Sequence, residues 1–167
     1  MVTRWLVRLF LVGVLVGLGL WGWHRFFPGP DQQIRKRIAE FERYAGIGPT
    51  ESNLARLANA QRLTTFFTTN AQVTIDLPGR FQGTFSGREQ LLEAAGGARA
   101  NLHSLIVEFL DVVVQVNPDK QTAIVTLTAK ATMPGENVPE VQPLKAELQK
   151  VEGEWLINRA ETVKTFH

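Results

Sequence analysis

Leu9 to Trp23 (LFLVGVLVGLGLWGW) is an uncharged apolar run of 15 residues, and no other stretch limits the chain as strongly. As a helix it covers about 22 Å, short of a hydrocarbon core of about 30 Å. Counting from Trp5 to Phe27 closes the gap, with Arg8 and Arg25 reaching back to the headgroups. Trp5, Trp21, Trp23, Phe26 and Phe27 crowd both ends, as an interfacial aromatic belt would. A cleavable signal peptide is the rival reading, but Trp21-Gly22-Trp23-His24-Arg25 offers no exit with small residues at the required spacing. The expectation is an uncleaved signal anchor and short linker over residues 1–30, meeting membrane lipid through residues 5–27. Bases stand on both sides of the run, so they do not set its orientation. A short basic tail before such an anchor stays cytoplasmic, which puts the following domain on the extracytoplasmic, periplasmic side of a single-pass membrane protein. Gly17-Leu18-Gly19-Leu20-Trp21-Gly22 fits a dinucleotide-binding string, yet no strand precedes it and it lies in the apolar run.

Three of the 18 bases precede Asp31, leaving 15 bases against 16 acids in residues 31–167. That domain has no basic field with which to collect phosphates, so nucleic acid is not an expected partner. The absence of cysteine excludes disulfides, thiolate metal sites and a cysteine nucleophile.

Phe27-Pro28-Gly29-Pro30 stops the anchor, and Asp31 is placed to cap a helix with Ile34, Ile38, Phe41 and Ala45 on one face. Gly46-Ile47-Gly48-Pro49 ends it. Thr50 or Ser52 opens a second helix, with Leu54, Leu57, Leu63 and the pair Phe66-Phe67 as its expected buried side. Val73 to Leu77 reads as a short strand closed by Pro78-Gly79, and Phe81 to Phe85 as a second extended piece. Ser86-Gly87-Arg88-Glu89 has the spacing of a capping box ahead of a third helix, whose second half Gly96-Gly97 weakens. The period then changes to extended. Ser104–Val116 and Gln121–Thr132 flank the turn Asn117-Pro118-Asp119-Lys120, and Val141–Val151 and Trp155–Thr165 flank Glu152-Gly153-Glu154. Helices gathered on one side of a strongly bent antiparallel sheet make an α+β architecture.

Asn70 to Ile75 after an aromatic helix end, then Ser86 to Leu91, then the terminal Glu152-Gly153-Glu154-Trp155-Leu156-Ile157 resemble the nuclear transport factor 2-like superfamily. SnoaL-like polyketide cyclases and ketosteroid isomerases belong to that group. The resemblance covers roughly residues 34–163. It implies a cone in which three helices pack on a bent sheet around a pocket, and a sheet through which many members form homodimers. It leaves activity open, because the group holds both enzymes and catalytically silent domains.

Within this resemblance Thr74-Ile75-Asp76-Leu77-Pro78-Gly79 is similar to the isomerase segment that carries the general base, which makes Asp76 the catalytic candidate. An ordinary turn contact at a strand end is the competing role. The position matching the family's oxyanion acid is Lys145, a departure. Strand alternation puts Leu144, Ala146 and Leu148 on one face and Lys145, Glu147 and Gln149 on the other. Tyr44, the only tyrosine, could supply a pocket hydroxyl, with Phe41 competing for that slot. Glu108 and Asp111 interrupt an otherwise apolar strand on opposite faces, and Asp111 is the pocket candidate of the two; ion pairing with Lys130 or Arg159 across the sheet is the alternative. Trp155 could stack on a ligand or simply pack. His103 stands alone among titratable neighbours, no metal-ligand spacing occurs, and neither metal nor cofactor is expected.

The expectation is thus an anchored, non-catalytic domain that binds a small apolar ligand in the cone or a protein partner, including a second copy, through the sheet. The alternative is an isomerase- or cyclase-type enzyme using Asp76 as base on a hydrophobic substrate.

Overall fold

The computed structural model describes Val14 and residues 28–77, 81–135 and 138–163. The expected anchor, apart from Val14, and the Pro78-Gly79 turn lie outside the described residues. Among those described, no helix is long and apolar enough to cross a membrane.

Helix α1, Pro30–Ala45, begins where the fixed φ of proline is already helical and its missing N–H costs nothing. The expected cap is not used. Gly29 holds the cap position, no side chain caps it, and Asp31 sits inside the first turn, bound at 2.9 Å to Arg35 one turn on. There its charge opposes the positive end of the helix dipole. Ile34 and Ile38 are buried, and the helix ends at Gly46 as the sequence predicts.

Helix α2, Asn53–Thr64, is capped by the Ser52 hydroxyl, which accepts from Ala55 N. Its buried face differs from the expected one. Leu54 is 78% exposed and Leu57 55%, while Ala60 is fully enclosed. The helix turns Arg56 and Asn59 inward, because Arg56 supplies donors to the last carbonyls of the third helix at Arg99 and Leu102. Phe66 and Phe67 are buried but lie beyond the helix; Phe67 opens a strand.

Strand β1 is Phe67–Leu77, six residues longer at its start than Val73–Leu77, and β2 is Phe81–Ser86. Helix α3, Gly87–Asn101, follows. The capping box is altered: Ser86 Oγ makes no cap bond, and the Gln90 carboxamide, not Glu89, accepts from Ser86 N at 2.7 Å. Gly87 has φ +77°, a backbone state that favours glycine. The helix runs on through Gly96-Gly97 to Asn101.

Strands β3 (Ile106–Val116), β4 (Thr122–Thr132), β5 (Glu140–Val151) and β6 (Glu154–Thr162) form the expected meander. Asp119 closes the first turn by accepting from the backbone N–H groups of Gln121 and Thr122. Glu152 and Gly153, at φ 51° and 86°, close the β5–β6 hairpin with the left-handed pair that suits strand twist.

The sheet is mixed, not wholly antiparallel. Its order is β2-β1-β6-β5-β4-β3, with β1 parallel to β6 and all other neighbours antiparallel. Hairpins force antiparallel pairing on the meander, whereas β1 and β6 are joined through the whole intervening chain and are free to run the same way. Register shifts at Leu110/Val113 and Glu147/Leu148 interrupt the ladders, as bulges that bend a sheet do. The core lies between α1 and the inner face of the sheet, where Val125, Leu148, Trp155 and Ile157 meet Ile34, Ile38 and Phe66. Each large apolar side chain buried there contributes about 1.5–3 kcal/mol.

Candidate functional site

A cavity of about 160 Å³ lies in the cone, between α1 and the inner face of the sheet. Its walls are Ile38 and Phe41 from α1, Phe67, Val73 and Ile75 from β1, Phe109 from β3, and aliphatic residues of β4, β5 and β6. Phe41 is its aromatic corner: its ring meets Phe66 and Phe67 edge-on at 5.4 and 5.7 Å and stacks on Phe109 at 5.9 Å. Such ring pairs hold their geometry beyond what area burial alone gives.

Polar residues reach the border only at the parallel seam, where Thr74 and Glu161 are neighbours. Glu161 stands opposite Lys145 in the β5–β6 register, next to the inward pair Ala146 and Ala160, so alternation turns its carboxylate to the outer face. Leu144 and Ala146 border the cavity and Lys145 does not, as the alternation of β5 predicts. Apart from Thr74 and Glu161 at this seam the lining is apolar, and an unpaired charge would gain little there.

Of the five candidate site residues Phe41, Tyr44, Asp76, Asp111 and Trp155, only Phe41 borders the cavity. Asp76 does not. It follows Ile75, whose side chain faces inward, and its backbone N–H donates to Thr162 Oγ1 at 2.9 Å. Tyr44 lies one turn beyond Phe41, its ring 6.1 Å from Phe66 and outside the cavity lining. A hydrogen bond from Arg43 and then the charge of Arg62 hold its phenol below the usual tyrosine range. Asp111 is exposed at the β3 bulge with φ 52°, so the bulge carries it away from the interior. It is Glu108 that takes Lys130, at 2.7 Å across the β3–β4 ladder. Trp155 is a core residue, 3% exposed, and it walls a different hollow. His103 is exposed. Among the described residues no three His, Asp or Glu side chains gather as metal ligands would.

Two features have no clear signal in the sequence. Arg99 is buried in the last turn of α3, where it donates to both Glu51 oxygens and to the carbonyls of Tyr44 and Gly46. Trp155 Nε1 and Arg37 Nε are buried donors without an acceptor, a condition that costs about 1–3 kcal/mol each.

No family model and no curated protein matches the sequence. Solved structures do match in fold. A nuclear transport factor 2-like protein with a cystatin-like fold from Novosphingobium aromaticivorans is 16% identical, with 91% of this chain and 88% of that one covered and a TM-score of 0.62. A nuclear transport factor 2-like protein of unknown function from Pseudomonas putida KT2440 is 9% identical, with 81% and 87% covered and a TM-score of 0.62. A candidate scytalone dehydratase from Novosphingobium aromaticivorans is 13% identical, with 81% and 83% covered and a TM-score of 0.58. The domain therefore has the α+β cone of the nuclear transport factor 2-like fold, with three helices on a mixed six-stranded sheet. Identities this low establish the fold alone.

Proposed function

We propose that this is a non-catalytic binding domain whose cavity takes one small apolar molecule, or the apolar end of a larger one, and that residues 5–27 hold it at a membrane on the extracytoplasmic side. The observation that carries the first part is the cavity, about 160 Å³ and apolar but for Thr74 and Glu161 at its border. Apolar cavities of about 150 Å³ stay dry and admit benzene. The second part rests on the uncharged run of residues 9–23 and its aromatic flanks. A neighbour named for a dehydratase invites an enzymatic reading with Asp76 as base, but Asp76 does not border the cavity in which a substrate would lie.

Fluorobenzene tests the binding reading. With the full chain in nonionic detergent, ¹⁹F spectra should show a second, saturable environment that Ala160→Leu abolishes; a signal unchanged by the wild-type protein overturns it. Resistance to alkaline carbonate extraction tests the anchor, and release of the chain into the supernatant refutes it. The outer face of the sheet exposes Ile106, Leu110 and Val113 on β3, which supports a protein partner or a second copy there. Leu110→Lys should then lower the sedimentation coefficient of the assembly, and an unchanged value counts against that contact.

A further inference from the structure

The outer face of the sheet is recessed beside β1. Strand β1 pairs with β6 at Phe67↔Ile157 and again at Gln72↔Arg159, so residues 68–71 of β1 stand against Asn158 alone. Surplus residues of this kind leave the ladder as a bulge. Thr68, Thr69 and Asn70 of the bulge wall a groove of about 660 Å³, which Gln149, Val151 and Leu156 line from β5 and β6. Leu156 points outward between the core residues Trp155 and Ile157, yet it is only 8% exposed, so it forms the floor of a recess and not part of an open sheet. Sites for small molecules span roughly 300–1,000 Å³.

The wall is tied down by its own contacts. Thr68 Oγ1 donates to Asn158 Oδ1 at 3.1 Å, and Arg88 Nε and Nη2 donate to Phe67 O at 2.9 and 2.6 Å. Other groups in the lining are left open: among the described residues, the carboxamides of Asn70 and Gln149 and the Thr69 hydroxyl have no partner. Each carboxamide offers donors and an acceptor, and the hydroxyl can serve as either. Arg88 and Glu152 offset each other in formal charge, and Glu154 lies 3.5 Å from Arg37, so the lining has no net charge to draw in an anion or a cation. The floor strands β5 and β6 each lie between two paired neighbours, which leaves no edge there for an extended peptide. What fits is a neutral ligand with several groups that both donate and accept, and hydroxyls are such groups.

We propose that this groove binds a neutral saccharide, whose hydroxyls exchange hydrogen bonds with Asn70, Gln149 and Thr69 and whose C–H face lies on Leu156 and Val151. The site is on the opposite face of the sheet from the apolar cavity and does not depend on what occupies it.

Maltose, lactose and N,N′-diacetylchitobiose are the probes, each titrated into full-length ¹⁵N-labelled protein in octaethylene glycol monododecyl ether, a detergent without sugar. Loss in Asn70→Leu and in Gln149→Leu identifies the two carboxamide signals. At least one of the three sugars should shift both signals saturably. Its binding to Gln149→Leu, read through Asn70, should be about fivefold weaker, as the loss of a hydrogen-bonding carboxamide gives. Should Gln149→Leu fail to fold, Asn70→Leu replaces it, read through Gln149 with the same loss expected. Sodium phosphate, spermidine and fluorobenzene should leave both signals in place. The proposal is overturned if none of the sugars moves the signals, if the variant lacking a carboxamide binds as tightly, or if phosphate, spermidine or fluorobenzene moves the signals or displaces the sugar.

Discussion

Arg99 and Glu51 form a buried ion pair in which Arg99 Nη1 donates to both carboxylate oxygens, at 3.0 and 2.9 Å, with side chains 3% and 9% exposed. The pair joins the end of α3 to the start of α2. Asn59 donates to the same carboxylate, and Arg56 donates to the Arg99 carbonyl. Removing one member leaves the other buried and uncompensated, which typically costs about 3–5 kcal/mol. Arg99→Met and Glu51→Gln should therefore each lower stability by about that much in denaturant unfolding. The double variant Arg99→Met/Glu51→Gln should lose less than the sum of the two singles. Additive losses would show that the pair is not coupled.

The cavity is expected to tolerate filling better than emptying. Ala160→Leu adds atoms to existing space and should change stability by about 1–3 kcal/mol or less. Phe41→Ala removes the ring that meets three other phenylalanines and should cost about 3–5 kcal/mol. Thermal melts of the two variants in the same detergent make the comparison. An Ala160→Leu loss as large as that of Phe41→Ala would mean that the space is already occupied by packed side chains.

Two glycines in one helix should respond with opposite signs. Gly87 has φ +77°, and a Cβ there would lie 3.4 Å from the Thr69 carbonyl oxygen, so Gly87→Ala should destabilise by about 1–2 kcal/mol. A Cβ on Gly96 meets nothing within 4 Å, and Gly96→Ala should stabilise by about 0.8–1 kcal/mol through helix propensity. Chemical denaturation midpoints distinguish the two. If Gly87→Ala stabilises as well, the start of α3 does not depend on the positive φ.

Asp119 governs the acid response of the β3–β4 turn. The backbone N–H of Gln121, then the Thr122 hydroxyl and N–H, hold its carboxyl below the usual range. A depressed carboxyl stabilises the fold when ionised, so its contribution is full above the unfolded value of about 3.9 and is lost as pH falls through the lower folded value. The melting difference between wild type and Asp119→Ala should hold constant above neutrality and close on acidification. A gap that widens in acid would contradict this.

Much of the fold was legible because its signals are local. Asn117 to Lys120 and Glu152-Gly153 mark two hairpins, and the alternation in β5 correctly sorts Ala146 from Lys145. The misreadings arise where tertiary contact overrides local pattern. Leu54 and Leu57 sit at helical spacing with Leu63, yet the bonds made by Arg56 turn the helix so that both leucines face outward. Phe66-Phe67 continue an apolar helical pattern, but Phe67 is paired with Ile157 at the far end of the chain, a relation invisible to any local window. The same non-local pairing made the sheet mixed. At the site, Phe41 was legible by its place on the buried stripe of α1. Asp111 was not, because the bulge that exposes it shifts the alternation on which its placement depended.

The parallel seam of β1 and β6 sets a condition on synthesis. β6 is hydrogen-bonded between β1 and β5, so the β1–β2 hairpin has no strand-to-strand hydrogen bonds to the meander until residues 154–162 have left the ribosome. Up to that moment the nascent chain offers two open strand edges, the kind of surface that chaperones engage. Residues 154–162 therefore fuse the two groups of strands, and a chain ended before Glu154 would keep both groups on one polypeptide without the seam that makes them one sheet.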